Sequence, residues 1–143
     1  MSLENWRRNG WLRPHKSSKE EIRNLLTIAD RDLRVSKTKD LIADWRLEIV
    51  YNAALQAAVS VLAAAGYKAE RGRGHHHTIQ ALEFTLGNDQ LAALGKLSKK
   101  RHQSNYEVAG AVSDGEAAEM LKLAENLRFK AEEWIRRNRP DLV

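Results

Sequence analysis

The densest set of side chains able to do chemistry lies between Lys96 and Tyr106. This stretch reads Lys-Leu-Ser-Lys-Lys-Arg-His-Gln-Ser-Asn-Tyr, with four cations and no acid. Arg101 carries a planar guanidinium, a fixed fork of donors that matches a phosphodiester. Lys99 and Lys100 add positive charge for the same anion. His102 and Tyr106 are the nearby groups able to exchange a proton, and Asn105 supplies a supporting amide. The same composition also suits a plain solvated helix end, where cations meet the negative end of the macrodipole.

Two further clusters stand out. In Arg71-Gly72-Arg73-Gly74-His75-His76-His77, three consecutive histidines suggest a metal. On a helix, however, successive side chains point about 100° apart and do not converge on one ion. No metal site and no cofactor is expected. An anion pocket fits better at a predicted helix start beside two arginines, which makes Arg71 and Arg73 candidate phosphate or RNA contacts. A lone Gly-x-Gly with no strand before it is no dinucleotide fingerprint. The other cluster is a polar stripe, Asp44, Glu48, Asn52, Gln56 and Ser60, spaced four apart along one slowly turning helix face. Ordinary amphipathicity produces such stripes. Yet the residues around Asn52 and Gln56 are apolar, and amides buried there need partners. Glu48 is the expected ion-pair partner for a cation of the Arg101 site.

The elements that must position these groups are helical. Residues 1–16 read as a basic arm bearing Trp6 and Trp11, and residues 17–143 as a bundle. The arm's tryptophans suit base stacking or a clamp onto the bundle or a second subunit. Ser18-Lys19-Glu20-Glu21 is a capping box, followed by Ile22, Leu25, Leu26, Ala29 and Leu33 at helical spacing up to about Ser36. A second helix is expected from about Lys39 to Ala65, stopped by Gly66. A third spans His76 to Leu86, and a fourth, capped by Asp89, runs from Gln90 to Ser104. A turn covers 106–112. Ser113-Asp114-Gly115-Glu116 is a second capping box, and the last helix runs through Trp134 to Pro140. Trp45 and Trp134 fall at core spacing. With no alternating strand segment, the architecture is an all-α, antiparallel up-down bundle of about four to five helices.

Composition sets outer limits. The 143 residues suit one domain, and 43% hydrophobic with 30% charged is globular. Absence of cysteine excludes disulfides, thiol nucleophiles and cysteine zinc sites. A net charge of +5 favours an anionic partner. Met1 to Arg8 lacks the apolar core of a signal peptide. The most apolar run, Ile49 to Ala65, is broken by Asn52, Gln56 and Ser60, and falls short of the ~20 residues of a spanning helix. It reads as the core helix of a soluble cytoplasmic protein with no membrane partner.

The order of elements, and several phrases within them, resembles the HEPN domain family, small helical proteins often encoded beside minimal nucleotidyltransferases. Lys99-Lys100-Arg101-His102-Gln103-Ser104-Asn105-Tyr106-Glu107 is similar to the branch of that family reading Arg-Asn, three residues, Tyr, acid. Ala43-Asp44-Trp45-Arg46, Tyr51-Asn52-Ala53-Ala54-Leu55-Gln56, Ala65-Gly66-Tyr67 and Gly74-His75-His76 resemble the same branch. The likeness covers most of residues 17–138. It implies a symmetric homodimer with facing motifs, RNA binding and, in active members, metal-independent cleavage in which the Arg steadies the phosphate and a His handles protons. Here the sequence departs: no His stands four to six residues after Arg101. Tyr106 occupies that zone, His102 adjoins Arg101, and tyrosine is a poor general base at neutral pH. Arg71 and His76 match the Arg-to-His spacing, but in a loop where the family motif does not sit.

The leading expectation is therefore a HEPN-like RNA-binding protein, a metal-independent ribonuclease of a toxin–antitoxin or defence pair if active. The alternatives are a catalytically inactive dimeric adaptor for a nucleotidyltransferase partner, or a nucleotide-binding module using Arg71 and Arg73.

Overall fold

The computed structural model describes residues 1–107 and 109–143. Its elements are α1 (Leu3–Arg8), β1 (Leu12–Pro14), α2 (Lys19–Val35), α3 (Ala43–Ala64), β2 (Tyr67–Ala69), α4 (Gly74–Gln80), α5 (Asn88–His102) and α6 (Asp114–Asn138). Short 3-10 turns follow α4 (Ala81–Phe84) and α6 (Pro140–Leu142), and one π turn (Gln103–Glu107) extends α5. The all-α bundle expected from the sequence is present, with α3 at its centre and α6 and α2 as its main neighbours.

Local chemistry explains the helix ends. Ser18 accepts a hydrogen bond from the Glu21 amide at the start of α2, and Ser113 with Glu116 forms the reciprocal capping box of α6. Gly66, at φ +104, closes α3 where a side chain would strain the backbone. α3 begins at Ala43 and not near Lys39, because Asp40 adopts φ +65 and turns the chain before the helix can start. α5 likewise begins at Asn88, with Gly87 preceding it and Asp89 inside the first turn rather than capping it. The third helix is shorter than expected and tightens into the 3-10 turn after Gln80. The turn expected over 106–112 includes Val108, which lies outside the described residues.

Alanine sets the packing distance of the core. Ala53, Ala54, Ala57 and Ala58 on α3 are buried, as are Ala117, Ala124 and Ala131 on α6. With no side chain beyond Cβ, they let leucines such as Leu47, Leu94, Leu97 and Leu127 fill the space between helices. α3 has the length and hydropathy of a membrane-spanning helix, but 72% of that window is buried inside the bundle.

The strand-free expectation is corrected by a two-stranded antiparallel sheet in which Leu12 opposes Ala69 and Pro14 opposes Tyr67. Three residues per strand are too few for alternation to show, and Pro14 sits at a strand end, where its missing N–H does no harm. The sheet fixes the first sixteen residues to the bundle. Trp6 is 8% exposed and packs with Leu12, Leu62 and Ala81. Tyr67 donates to Glu4 at 2.9 Å. The arm is thus a wall of the bundle. Trp45 is a second correction: it is 61% exposed and packs in no core cluster among the described residues.

Candidate functional site

Arg101 lies in the last turn of α5 and reaches across to α3. Its Nε donates to Glu48 Oε2 at 2.9 Å and its Nη2 to Glu48 Oε1 at 3.2 Å, a bidentate pair. Asn105, one turn on, donates to the same Glu48 Oε2 at 2.7 Å. Below them the guanidinium carbon sits 4.9 Å from the centre of the Tyr51 ring, a cation–π contact. Burial works to raise the Glu48 carboxyl, but the hydrogen bonds from Arg101 and Asn105 outweigh it and hold the group below the usual glutamate range. The same bond holds Arg101 charged even more firmly than usual.

Each candidate residue has a definite place relative to this clamp. His102 and Tyr106 lie together, ring centres 5.0 Å apart at 42°, and Tyr106 is 68% exposed. The π turn that carries Asn105 and Tyr106 is a rare backbone form concentrated at functional sites. Lys100 turns away and pairs with Glu116 at 2.9 Å, so it steadies the start of α6 and not the Arg101 site. Lys99 is exposed on the opposite flank of α5, facing α4.

The polar stripe divides into separate jobs. Asp44 accepts from the Gly110 amide at 2.9 Å and pins the segment after the π turn over the start of α3. Its other oxygen is buried with no partner among the described residues, as is Ser104 Oγ. Asn52 donates to Asp32 at 2.6 Å, the partner its apolar setting demands. Ser60 donates back to the Ala57 carbonyl. Gln56 is half-buried. Of the stripe, Glu48 alone bonds to Arg101 among the described residues. Spacing on α3 made Tyr51 legible as its neighbour three residues on, yet the aromatic floor was missed because Tyr51 reads equally well as core.

Arg71, Arg73 and His75 to His77 do not touch the clamp. They occupy the loop and first turn leading into α4, and Arg71, Arg73, His75 and His76 are exposed. His75 and His76 nevertheless line the same 450 Å³ hollow as Lys99 and His102. Among the described residues no cluster of His, Cys, Asp or Glu has a geometry suited to a metal ion. His77 instead stacks on Trp11, with centres 5.5 Å apart and planes at 20°. No protein-family model matches the chain, and no curated protein matches it.

Proposed function

We propose that this chain is a HEPN-like protein that holds an RNA phosphate at Arg101. The observation that carries the reading is the clamp itself. Glu48, Asn105 and Tyr51 fix the guanidinium beside an exposed His102–Tyr106 pair. Two of the five guanidinium N–H donors go to Glu48. The others remain for a phosphodiester, presented at a set angle, which is the positioning that phosphoryl transfer asks of a protein.

In the cleavage that the resemblance implies, a ribose 2′-oxygen attacks the adjacent phosphorus and the bond to the next 5′-oxygen breaks. The products are a 2′,3′-cyclic phosphate and a 5′-hydroxyl. Arg101 neutralises charge gathering on the non-bridging oxygens. His102 takes the 2′-hydroxyl proton. A phenol is a hydrogen donor at neutral pH, which suits Tyr106 to the departing 5′-oxygen. Both residues then return to their starting forms by exchange with water. Labelled RNA incubated in excess chelator with wild-type protein and with Arg101→Ala tests this. Cleavage by wild type alone supports the ribonuclease reading; no cleavage by either folded protein overturns it.

A second reading rests on the exposed apolar residues at the same end of α3. Ile42, at the N-cap, is 58% exposed, and Trp45, one turn from Glu48, is 61% exposed. Such a patch fits a surface covered by a second copy or a nucleotidyltransferase partner. In that reading the bundle is an adaptor and the clamp orders its interface. Sedimentation of wild type and Trp45→Ala separates the two, since loss of self-association without loss of RNA cleavage is compatible only with a patch independent of catalysis.

A further inference from the structure

One face of α5 runs against the usual logic of helix packing. Gly95, Ser98, Lys99, His102 and Gln103 recur at the spacing of a buried stripe and face α4. Residues so placed are ordinarily apolar and close the seam between helices. Here one is glycine and the rest are polar, and the seam stays open as a hollow of about 450 Å³ whose far wall includes His75 and His76.

That hollow shares wall residues with two others. One, of about 680 Å³, lies over the loop carrying Arg71 and Arg73 and is bounded by Arg13. The other, of about 410 Å³, lies beside Trp6 and Trp11. His76 lines all three. The lining residues include Arg13, Arg71, Arg73 and Lys99, against Glu70 as the one acid among the described residues. Among the described residues none of these four cations is engaged in an ion pair. At one end Trp11 is 36% exposed, held in place by its stack on His77. A line of uncompensated cations with a fixed aromatic face is the composition that binds a single strand, backbone on the charges and a base on the ring. A duplex hides its base faces and has no use for the tryptophan.

We infer that these neighbouring hollows, which meet at His76, together form a track for single-stranded RNA, running from Trp11 past Arg73 and His76 to Lys99 and delivering the strand to the end of α5. The inference rests on the reading of Arg101 as an RNA phosphate site, and it adds the strandedness of the substrate and the path it takes.

The test is fluorescence anisotropy of a labelled oligouridylate of about 12 nucleotides, with a labelled RNA duplex of equal length as comparison, on the full chain. Gly95→Leu plugs the central hollow. A Cβ there meets nothing within 4 Å, and leucine favours the helix over glycine, so the variant keeps its fold; thermal melting checks this. Trp11→Ala and Arg73→Gln probe the far end. The expected result is single-strand affinity at least about fivefold lower in Gly95→Leu and Trp11→Ala, as loss of one stacked base implies. Arg73→Gln should reduce the log–log salt slope by about 0.7, and the duplex should bind more weakly than the single strand. If the three folded variants bind like wild type while Arg101→Ala weakens binding, the track is overturned and the Arg101 reading stands. If the three weaken binding while Arg101→Ala does not, the track stands as a binding surface and its destination is overturned. No single-strand binding by wild type at low salt overturns both.

Discussion

Arg101 and Glu48, on different helices and 2.9 Å apart at their closest, are the two ends of one bidentate ion pair. The geometry makes Glu48 an orienting residue, because it spends one edge of the guanidinium and aims the rest outward. Both side chains keep about a quarter to a third of their surface in solvent, so the pair contributes little stability. A double-mutant cycle with Glu48→Gln and Arg101→Ala should give a coupling of about 1 kcal/mol in urea unfolding. RNA binding should respond far more to Arg101→Ala than stability does. A coupling near zero would mean that the clamp is not populated in solution.

The lowered Glu48 carboxyl sets an acid limit. A group that holds its proton less tightly when folded stabilises the fold fully above its ordinary value of 4.5, and that contribution disappears as pH falls through the lower folded value. Melting temperatures of wild type and Glu48→Gln should therefore converge as pH drops below the ordinary glutamate range, and differ by a constant amount above it. A gap that widens in acid would contradict the assignment.

His77 also loses stability in acid, but because its charged form is the disfavoured one. Burial first, then His76 and Arg73, hold its imidazole below the usual 6.5. The folded protein thus takes up this proton later than the unfolded chain as pH falls. Stability is full above about 6.5 and declines as pH drops through the folded value. His77→Phe keeps a ring against Trp11 and removes the titration. Its melting temperature should stay flat across that window while that of wild type falls.

Trp6 marks the first sixteen residues as part of the fold. Trp6→Ala should cost about 3 kcal/mol in denaturant unfolding, the range for removing a large buried aromatic. Exposed Trp45→Ala should change stability by less than about 0.5 kcal/mol. If Trp6→Ala were as mild as Trp45→Ala, the arm would be detached in solution.

Helix position and the Glu48–Arg101 pairing were readable in the residues because both obey local rules: a serine cap on α2 without the reciprocal Glu21 bond, a full capping box on α6, a closing glycine, and spacing that brings Glu48 of α3 within reach of a basic helix end. The sheet was not readable, since its pairing joins residues far apart in the chain through three-residue strands. Trp6 is the clamp onto the bundle that the arm allowed, whereas Trp45 left its expected core place for a related reason. Periodicity reports which face of a helix a residue occupies. It does not report that α1 is laid against Leu62 and Ala81 while Trp45 at the start of α3 stays exposed. The neighbouring hollows were hidden too, because Gly95 and His76 come to line one wall only after α4 and α5 are placed side by side.

The pairing of β1 with β2 closes a ring of chain that contains all of α2 and α3. Such a closure carries a large entropic cost until the two helices have docked, so the strands meet late in folding and part early in partial opening. Amide exchange in Leu12 and Arg13 and in Tyr67 to Ala69 should accordingly proceed at a shared rate, faster than in α3. Whatever loosens the amino-terminal strand, a nick or a mutation, then also releases the arginine loop from the far side of the molecule's sequence.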